Sequence, residues 1–231
     1  MTDAGRVAAR FFDAIAGRYE RVYALPSADS RARMQKVVAS LPPAPGAVLV
    51  LGVGTGRELT ALLDAGYAPT GLDVSRAMIE RGARRARPVP VVEGDFWESP
   101  LPFDGGTFAG AVALHGTLAH PPDVAAVGRL AKDLARVVVP GGRLVIETPS
   151  LSWLERLPTS YGESTEDGER RLRRTGPATL VYEDLVVGGG IEARLLSEGE
   201  WRDALAPGWT VAIEPLGRAE LFLRACRVPA R

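Results

Sequence analysis

The stretch Val48-Leu49-Val50-Leu51-Gly52-Val53-Gly54-Thr55-Gly56-Arg57-Glu58 decides the fold. Its apolar start reads as a short buried strand. The run then breaks into three glycines at alternate positions, and a helical pattern begins at Arg57. Strand, glycine turn and helix in that order build a cradle for a nucleotide-type ligand. Glycine at such a turn lets the backbone approach a ligand closely and take φ values that a Cβ forbids.

Outward from this turn the chain keeps alternating. Ala68 to Asp73, Val89 to Glu93, Thr107 to Leu114 and Arg143 to Thr148 read as further strands. Between them fall a helix from Arg57 to about Ala65 with Gly66 as its cap, a helix capped by Ser75 with Met78 and Ile79 inward, and a helix from Asp123 to about Val138. Thr107 to Leu114 is small or apolar almost throughout, as a strand covered on both faces should be. Pro140-Gly141-Gly142 turns the chain into the fifth strand. The alternation predicts an α/β fold with a parallel sheet wound on both sides. The tail departs from it. Ser197-x-x-Glu200 reads as a capping box for a short helix through Trp201 and Leu205. Trp209 to Pro215 and Glu220 to Val228, joined by a few residues, read as an antiparallel hairpin.

Ahead of the first strand, Ala8, Phe11, Phe12, Ile15, Tyr19, Val22 and Tyr23 form one stripe of a helix expected from about Val7 to Tyr23 and ended by Pro26. A second helix is expected after Asp29, with Met34, Val37, Val38 and Leu41 inward. Pro42-Pro43-Ala44-Pro45-Gly46 breaks it. The whole chain reads as a single domain. Residues 1–41 form a helical lid, 46–150 the core, 151–196 an insertion on the substrate side, and 197–231 the terminal helix and hairpin. Within the insertion, Val181 to Val187 and Ile191 to Leu196 flank Gly188-Gly189-Gly190 as a hairpin. Glu169-Arg170-Arg171-Leu172-Arg173-Arg174 reads as the solvated face of a helix. Trp153, Leu154 and Leu157 suit either a pocket wall or a buried helix stripe.

Composition narrows the function. Lys+Arg and Asp+Glu both number 28, so there is no electrostatic case for nucleic acid or an anionic membrane as partner. No apolar run approaches a membrane span, and the N-terminus has no continuous apolar stretch of the signal-peptide kind. Cys226 is the single cysteine, which fits a cytoplasmic location and reads as ordinary core. Two histidines without a carboxylate or cysteine pattern beside them make a poor metal site, so no metal is expected.

The third glycine comes one residue earlier than in the dinucleotide pattern G-x-G-x-x-G. This G-x-G-x-G, followed in order by Asp73, Asp95, Pro140-Gly141-Gly142 and the terminal hairpin, resembles the class I S-adenosylmethionine (SAM) dependent methyltransferases, of the small-molecule, type 11/25-like kind. The likeness covers roughly residues 45–150 plus the hairpin. It implies a Rossmann-like methyltransferase fold: a doubly wound, mostly parallel seven-stranded sheet with an antiparallel terminal hairpin and an N-terminal helical lid. It implies methyl transfer from SAM to a small-molecule acceptor by in-line displacement, with S-adenosylhomocysteine (SAH) as product. Gly52, Gly54 and Gly56 would then lie under the methionine portion of SAM. Asp73, with Val74 next to it, would accept from both ribose hydroxyls, which a carboxylate can do at once. Asp95 would accept from the adenine amino group, Phe96 would meet the ring, and Leu114 would sit near the sulfonium. Tyr19 and Tyr23 resemble aromatic positions that touch cofactor or substrate.

Two positions depart from the family's pattern. Val50 stands where many relatives have Asp or Glu, linked to the ammonium of SAM, and Ala109 replaces an aspartate at the start of the fourth strand. His115 and His120 follow that strand, beside the crevice where open α/β sheets bind ligands. Either histidine suits a proton acceptor or a pocket wall, and His115 is the candidate base. His120 and Trp153 join it as candidates on the substrate side. Two other readings stand beside the enzyme: a catalytically silent SAM-fold module, for which Val50 speaks, and a nicotinamide oxidoreductase, against which the glycine spacing and the hairpin speak. The acceptor and the oligomeric state have no signature in the sequence.

Overall fold

β1 (Ala47–Leu51) runs through the middle of a seven-stranded sheet in the computed structural model, which describes residues 1–23, 27–84, 87–165 and 168–229. Parallel neighbours flank it, β2 (Ala68–Asp73) on one side and β4 (Phe108–Ala113) on the other. β3 (Val91–Glu93) and β5 (Val138–Pro149) extend the parallel set outward. β10 (Trp209–Leu216) and β11 (Glu220–Arg227) form the terminal hairpin, and β11 enters between β5 and β10, antiparallel to both. The order is β10-β11-β5-β4-β1-β2-β3.

The two-residue period of β1 feeds two cores. Leu49 and Leu51 belong to one with Leu130 and Leu134 of α6 (Val124–Val137) and Trp201 of α8 (Glu198–Leu205). Val48 and Val50 belong to the other with Val37 of α3 (Ser27–Ser40) and Leu62 of α4 (Leu59–Asp64). Helices therefore cover both faces, as the apolar β1 and β4 require. The caps act as their sequences direct. Ser75 Oγ accepts from Met78 N at the start of α5 (Arg76–Gly82), Asp123 accepts from Ala126 N, and Ser197 with Glu200 closes a capping box.

After β5 comes α7 (Leu151–Glu155), then an antiparallel four-stranded sheet of β6 (Gly162–Ser164), β7 (Arg170–Arg174), β8 (Thr179–Asp184) and β9 (Gly190–Arg194). The hairpin across the triple glycine is therefore present, with strands slightly displaced from the expected bounds. The basic run is strand β7, not a helix face. Its side chains alternate in exposure, and Arg171 and Arg173 point outward to bridge Glu183 across the pair. Arg-Arg-Leu-Arg-Arg carries no 3.6-residue stripe, so pairing with β8 decides its conformation. Trp153 packs with Leu154, Leu180 and Ala193 in a small core between α7 and this sheet.

The N-terminal helix is two pieces, α1 (Asp3–Ile15) and α2 (Tyr19–Val22), separated at Ala16-Gly17-Arg18. Gly17 interrupts because glycine costs about 1 kcal/mol in a helix interior. α3 begins at Ser27, ahead of the expected start. Pro26 lies outside the described residues. Cys226, read as core, is only half-buried near the end of β11. Among the described residues no helix is long and apolar enough to cross a membrane.

Candidate active site

The chain direction of crossovers reverses between β1 and β4, and that is where an open sheet forms a crevice. A cavity of about 200 Å³ opens there. The glycine turn, the ends of β2 and β4, residues of α1 and α2, and Tyr182 and Ile191 of the accessory sheet line it.

Gly52 and Gly54 line the cavity with φ of +59° and +53°. A Cβ on Gly52 would stand 2.5 Å from Thr117 Cγ2, so this position has neither the conformation nor the space for a side chain. Gly56 is set back from the cavity. Its N–H donates to Val53 O, and its Cβ would meet Leu59 at 2.7 Å, so it serves the entry into α4. Thr55 lines the cavity with its buried hydroxyl unpartnered.

Asp73 closes the turn from below. Its Oδ2 accepts from Gly54 N at 2.7 Å and its Oδ1 from Ser75 N at 2.8 Å. Burial pushes its carboxyl upward against these backbone donors. Asp95 accepts from Trp97 N at 2.9 Å through Oδ1, and through Oδ2 from Thr2 N at 2.7 Å and Thr2 Oγ1 at 2.6 Å. The first turn of α1 reaches Asp95 because Gly5 has no side chain; a Cβ there would lie 2.2 Å from Oδ2. At the other end of α1, Asp13 Oδ1 accepts from Ser75 Oγ at 2.6 Å and Ala77 N at 3.0 Å. Val74, Phe96 and Leu114 line the same cavity.

Aromatic rings line the same cavity. Tyr19 and Tyr23 stack at 5.1 Å, and Phe12 meets Tyr19 and His120 edge-on. The Arg57 guanidinium lies 5.3 Å from the Tyr19 ring centre and donates to Tyr23 O at 2.8 Å. Burial pushes the Tyr19 phenol up to about 12. His120 Nδ1 is 2.7 Å from Glu192 O, and burial pushes its imidazole down. His115 Nε2 is 2.8 Å from Glu58 Oε1. Burial alone would raise the Glu58 carboxyl; the His115 bond and charge, with Arg57, bring it below its ordinary range.

Of the predicted residues, the structure brings together Gly52, Gly54, Asp73, Val74, Asp95, Phe96, Leu114, Tyr19, Tyr23, His115 and His120 on one cavity. Gly56 and Trp153 stand outside its lining. Val50 also lines it, with its apolar side chain. Sequence reasoning missed Thr55, Arg57, Glu58, Thr117, Tyr182 and Ile191. Arg57 and Glu58 directly follow the glycine turn, which was their available signal. Tyr182 and Ile191 had none, because only the docking of the accessory sheet delivers them. Among the described residues no group of three or more His, Cys, Asp and Glu is placed to hold a metal ion.

Residues 48–142 match a family model described as a methyltransferase domain. The chain is 31% identical over 213 residues to a demethylmenaquinone methyltransferase of Corynebacterium kroppenstedtii, covering 88% of each chain. It is 36% identical over 182 residues to a demethylmenaquinone methyltransferase of Mycolicibacterium paratuberculosis, covering 77% of this chain and 76% of that one. In architecture it is similar to the CcbJ methyltransferase of Streptomyces caelestis (TM-score 0.76, 20% identity, 95% and 98% coverage). An amino pentose methyltransferase of Micromonospora echinaspora, solved with SAM bound, is also similar (TM-score 0.71, 20% identity, 91% and 96% coverage).

The chain belongs to the class I SAM-dependent methyltransferases. It is an enzyme that moves the methyl group of SAM to a small-molecule acceptor. The cavity suits this cofactor, which carries net positive charge. It offers the carboxylates of Glu58, Asp73 and Asp95, an unpartnered hydroxyl at Thr55 and bare backbone at Gly52 and Gly54.

Proposed function

We propose that the nucleotide half of the cofactor is held by Asp73 and Asp95 and the methionine half by the Gly52–Gly54 turn. Asp73 spends one lone pair of each oxygen on a backbone N–H and keeps the others for the ribose hydroxyls. Asp95 likewise keeps an acceptor on Oδ1 for the adenine amino group, with Phe96 and Val74 against the ring and Leu114 toward the sulfonium. When bound, SAM supplies an electrophilic methyl on a sulfonium that departs as a neutral thioether. The protein's share is alignment, exclusion of water and acceptance of a proton.

The acceptor in this reading is a flat hydroxylated aromatic of the quinol type. One observation carries it: Phe12, Tyr19, Tyr23 and Tyr182 line the cavity together with His115 and His120. Such a wall stacks on a ring and gives a polar sugar little to bond. The relatives at 31% and 36% identity are named for demethylmenaquinone, whose reduced head group is such a ring. His115 is the proton acceptor, and Tyr19, Tyr23 and His120 shape the acceptor pocket.

The test uses methyl-labelled SAM with reduced 1,4-naphthoquinone and, separately, an amino sugar. Label appearing in the naphthoquinol with matching release of SAH is the expected result. Label entering only the amino sugar would overturn the quinol reading.

A further inference from the structure

Among the described residues other than glycine, His115 alone has positive φ, +55°. A non-glycine residue there costs on the order of 1–3 kcal/mol and persists where its surroundings hold it. Two contacts hold this one. Its N–H donates to Glu147 Oε2 at 3.2 Å, and its ring Nε2 is 2.8 Å from Glu58 Oε1.

The charged and titratable groups around the imidazole come from α2, α3, β5 and the turn ahead of α4. Glu58 stands ahead of α4, and Glu147 on β5 has Oε2 3.8 Å from Nδ1. Behind them, Arg57 Nε is 3.7 Å from Glu58 Oε1, and Arg33 of α3 has Nη1 3.6 Å from Glu147 Oε2. Tyr19 of α2 takes a bond from Arg57 Nη2 at 3.4 Å. Only Glu58 and His115 of the two carboxylates and the imidazole face the cavity; Glu147 lies behind it, 1% exposed. The strained backbone and the carboxylate together fix one imidazole in the lining of the cavity.

We infer that Glu58 is a positioning residue, which fixes the orientation and tautomer of His115 so that the Glu58–His115 pair takes one proton from the methyl acceptor. This rests on the reading of His115 as proton acceptor and adds the group that makes it one. The acceptor's O–H bond breaks, its electron pair stays on the acceptor, and the proton forms a new bond within the pair. The pair goes from one net negative charge to none. Because the two groups share a short hydrogen bond, the proton belongs to both. A phenolic hydroxyl ionises near pH 10 in water, so its ring or oxygen becomes a better nucleophile at neutral pH when a base is placed against it.

The chain has two histidines, so imidazole NMR resolves each, and His120→Gln assigns them. In the SAH complex, Glu58→Gln is expected to change the tautomer of His115, read from the nitrogen shifts of Nδ1 and Nε2. The His120 signal should stay in place, which reports an intact fold, and SAH affinity should hold. Glu58→Asp should restore part of the wild-type tautomer population. With 1,4-naphthoquinol as acceptor, Glu58→Gln should lower kcat by roughly 10²-fold or more with little change in KM. Unchanged His115 ring signals overturn the proposal, and so does a changed tautomer with unchanged kcat. Loss of SAH affinity with the His115 signals unchanged would instead assign Glu58 to the cofactor. If the wild-type protein leaves naphthoquinol unmethylated, the quinol reading falls and the tautomer measurement alone decides the pair.

Discussion

Gly52 shows how a single position carries both fold and function. Its φ of +59° and the 2.5 Å approach of Thr117 to a would-be Cβ leave no tolerated replacement. Gly52→Ala is expected to cost about 1–3 kcal/mol of stability, read from the urea midpoint, and to weaken SAH binding. Asp73 and His115 separate the two halves of the site. Asp73→Ala removes an acceptor from the proposed ribose site and frees the Gly54 and Ser75 N–H groups, so calorimetry should show SAH binding weaker by about 10- to 100-fold. His115→Ala should weaken it less; the reverse order would undo the assignment of the two ends. His120 gives the pH signature. Burial holds its imidazole below the ordinary 6.5, so the unfolded chain binds a proton that the folded one refuses. That contribution is absent above this value and turns into a loss of stability as pH falls from about 6.5 toward the folded value. His120→Gln should therefore narrow the difference in melting temperature measured at about pH 7.5 and pH 5.5.

α1 is tied down at both ends, Thr2 to Asp95 and Asp13 to Ser75 and Ala77. The amphipathic stripe from Ala8 onward announced a helix that must bury a face, but polar residues off that stripe anchor it. Asp13→Ala should cost about 1–2 kcal/mol in local stability. Hydrogen exchange should show faster exchange along α1 and less protection on adding SAH, with β1 and β4 unchanged. The end of this helix is not legible in the sequence because stripe periodicity runs on through Gly17, whereas the backbone does not. β7 is illegible for a related reason: five residues rich in arginine say nothing of conformation until β8 supplies Glu183 opposite.

At the scale of the whole molecule, the accessory sheet is fastened to the N-terminal segment by Arg18. Its guanidinium bonds Asp184 Oδ1 at 2.9 Å and also pairs with Glu169, with the Asp184 side chain fully buried. Asp184 also accepts from Val186 N and Val187 N, so it holds the β8–β9 turn and the docking contact together. Arg18→Met leaves that carboxylate buried without its cation and should cost about 3–5 kcal/mol, a fall in Tm on the order of 10 °C. Adding Asp184→Asn should recover part of the loss in a thermal melt, since the penalty lies in the uncompensated charge. The same fastening brings Tyr182 and Ile191 to the cavity, so the single variant should also weaken acceptor binding more than SAH binding.

The sequence by itself determined the class of this enzyme and the glycine turn and strand-end aspartates that line its cavity. Those features are local: a strand, a glycine turn, a helix cap, an aspartate at a strand end, each with a spacing that a few residues settle. Gly52, Gly54, Asp73 and Asp95 could be read as lining residues because backbone geometry within a βα unit ties these positions to the ends of the strands. The tertiary structure alone decided which side chains meet across the cavity. Glu58 meets His115 across 57 positions of sequence, and Glu147, Arg33 and Tyr182 arrive from three further elements. Contacts between elements distant in sequence depend on how the helices and the accessory sheet dock, and no local periodicity encodes that. The strained φ of His115 follows from the same fact, because bonds from two other parts of the chain hold it there.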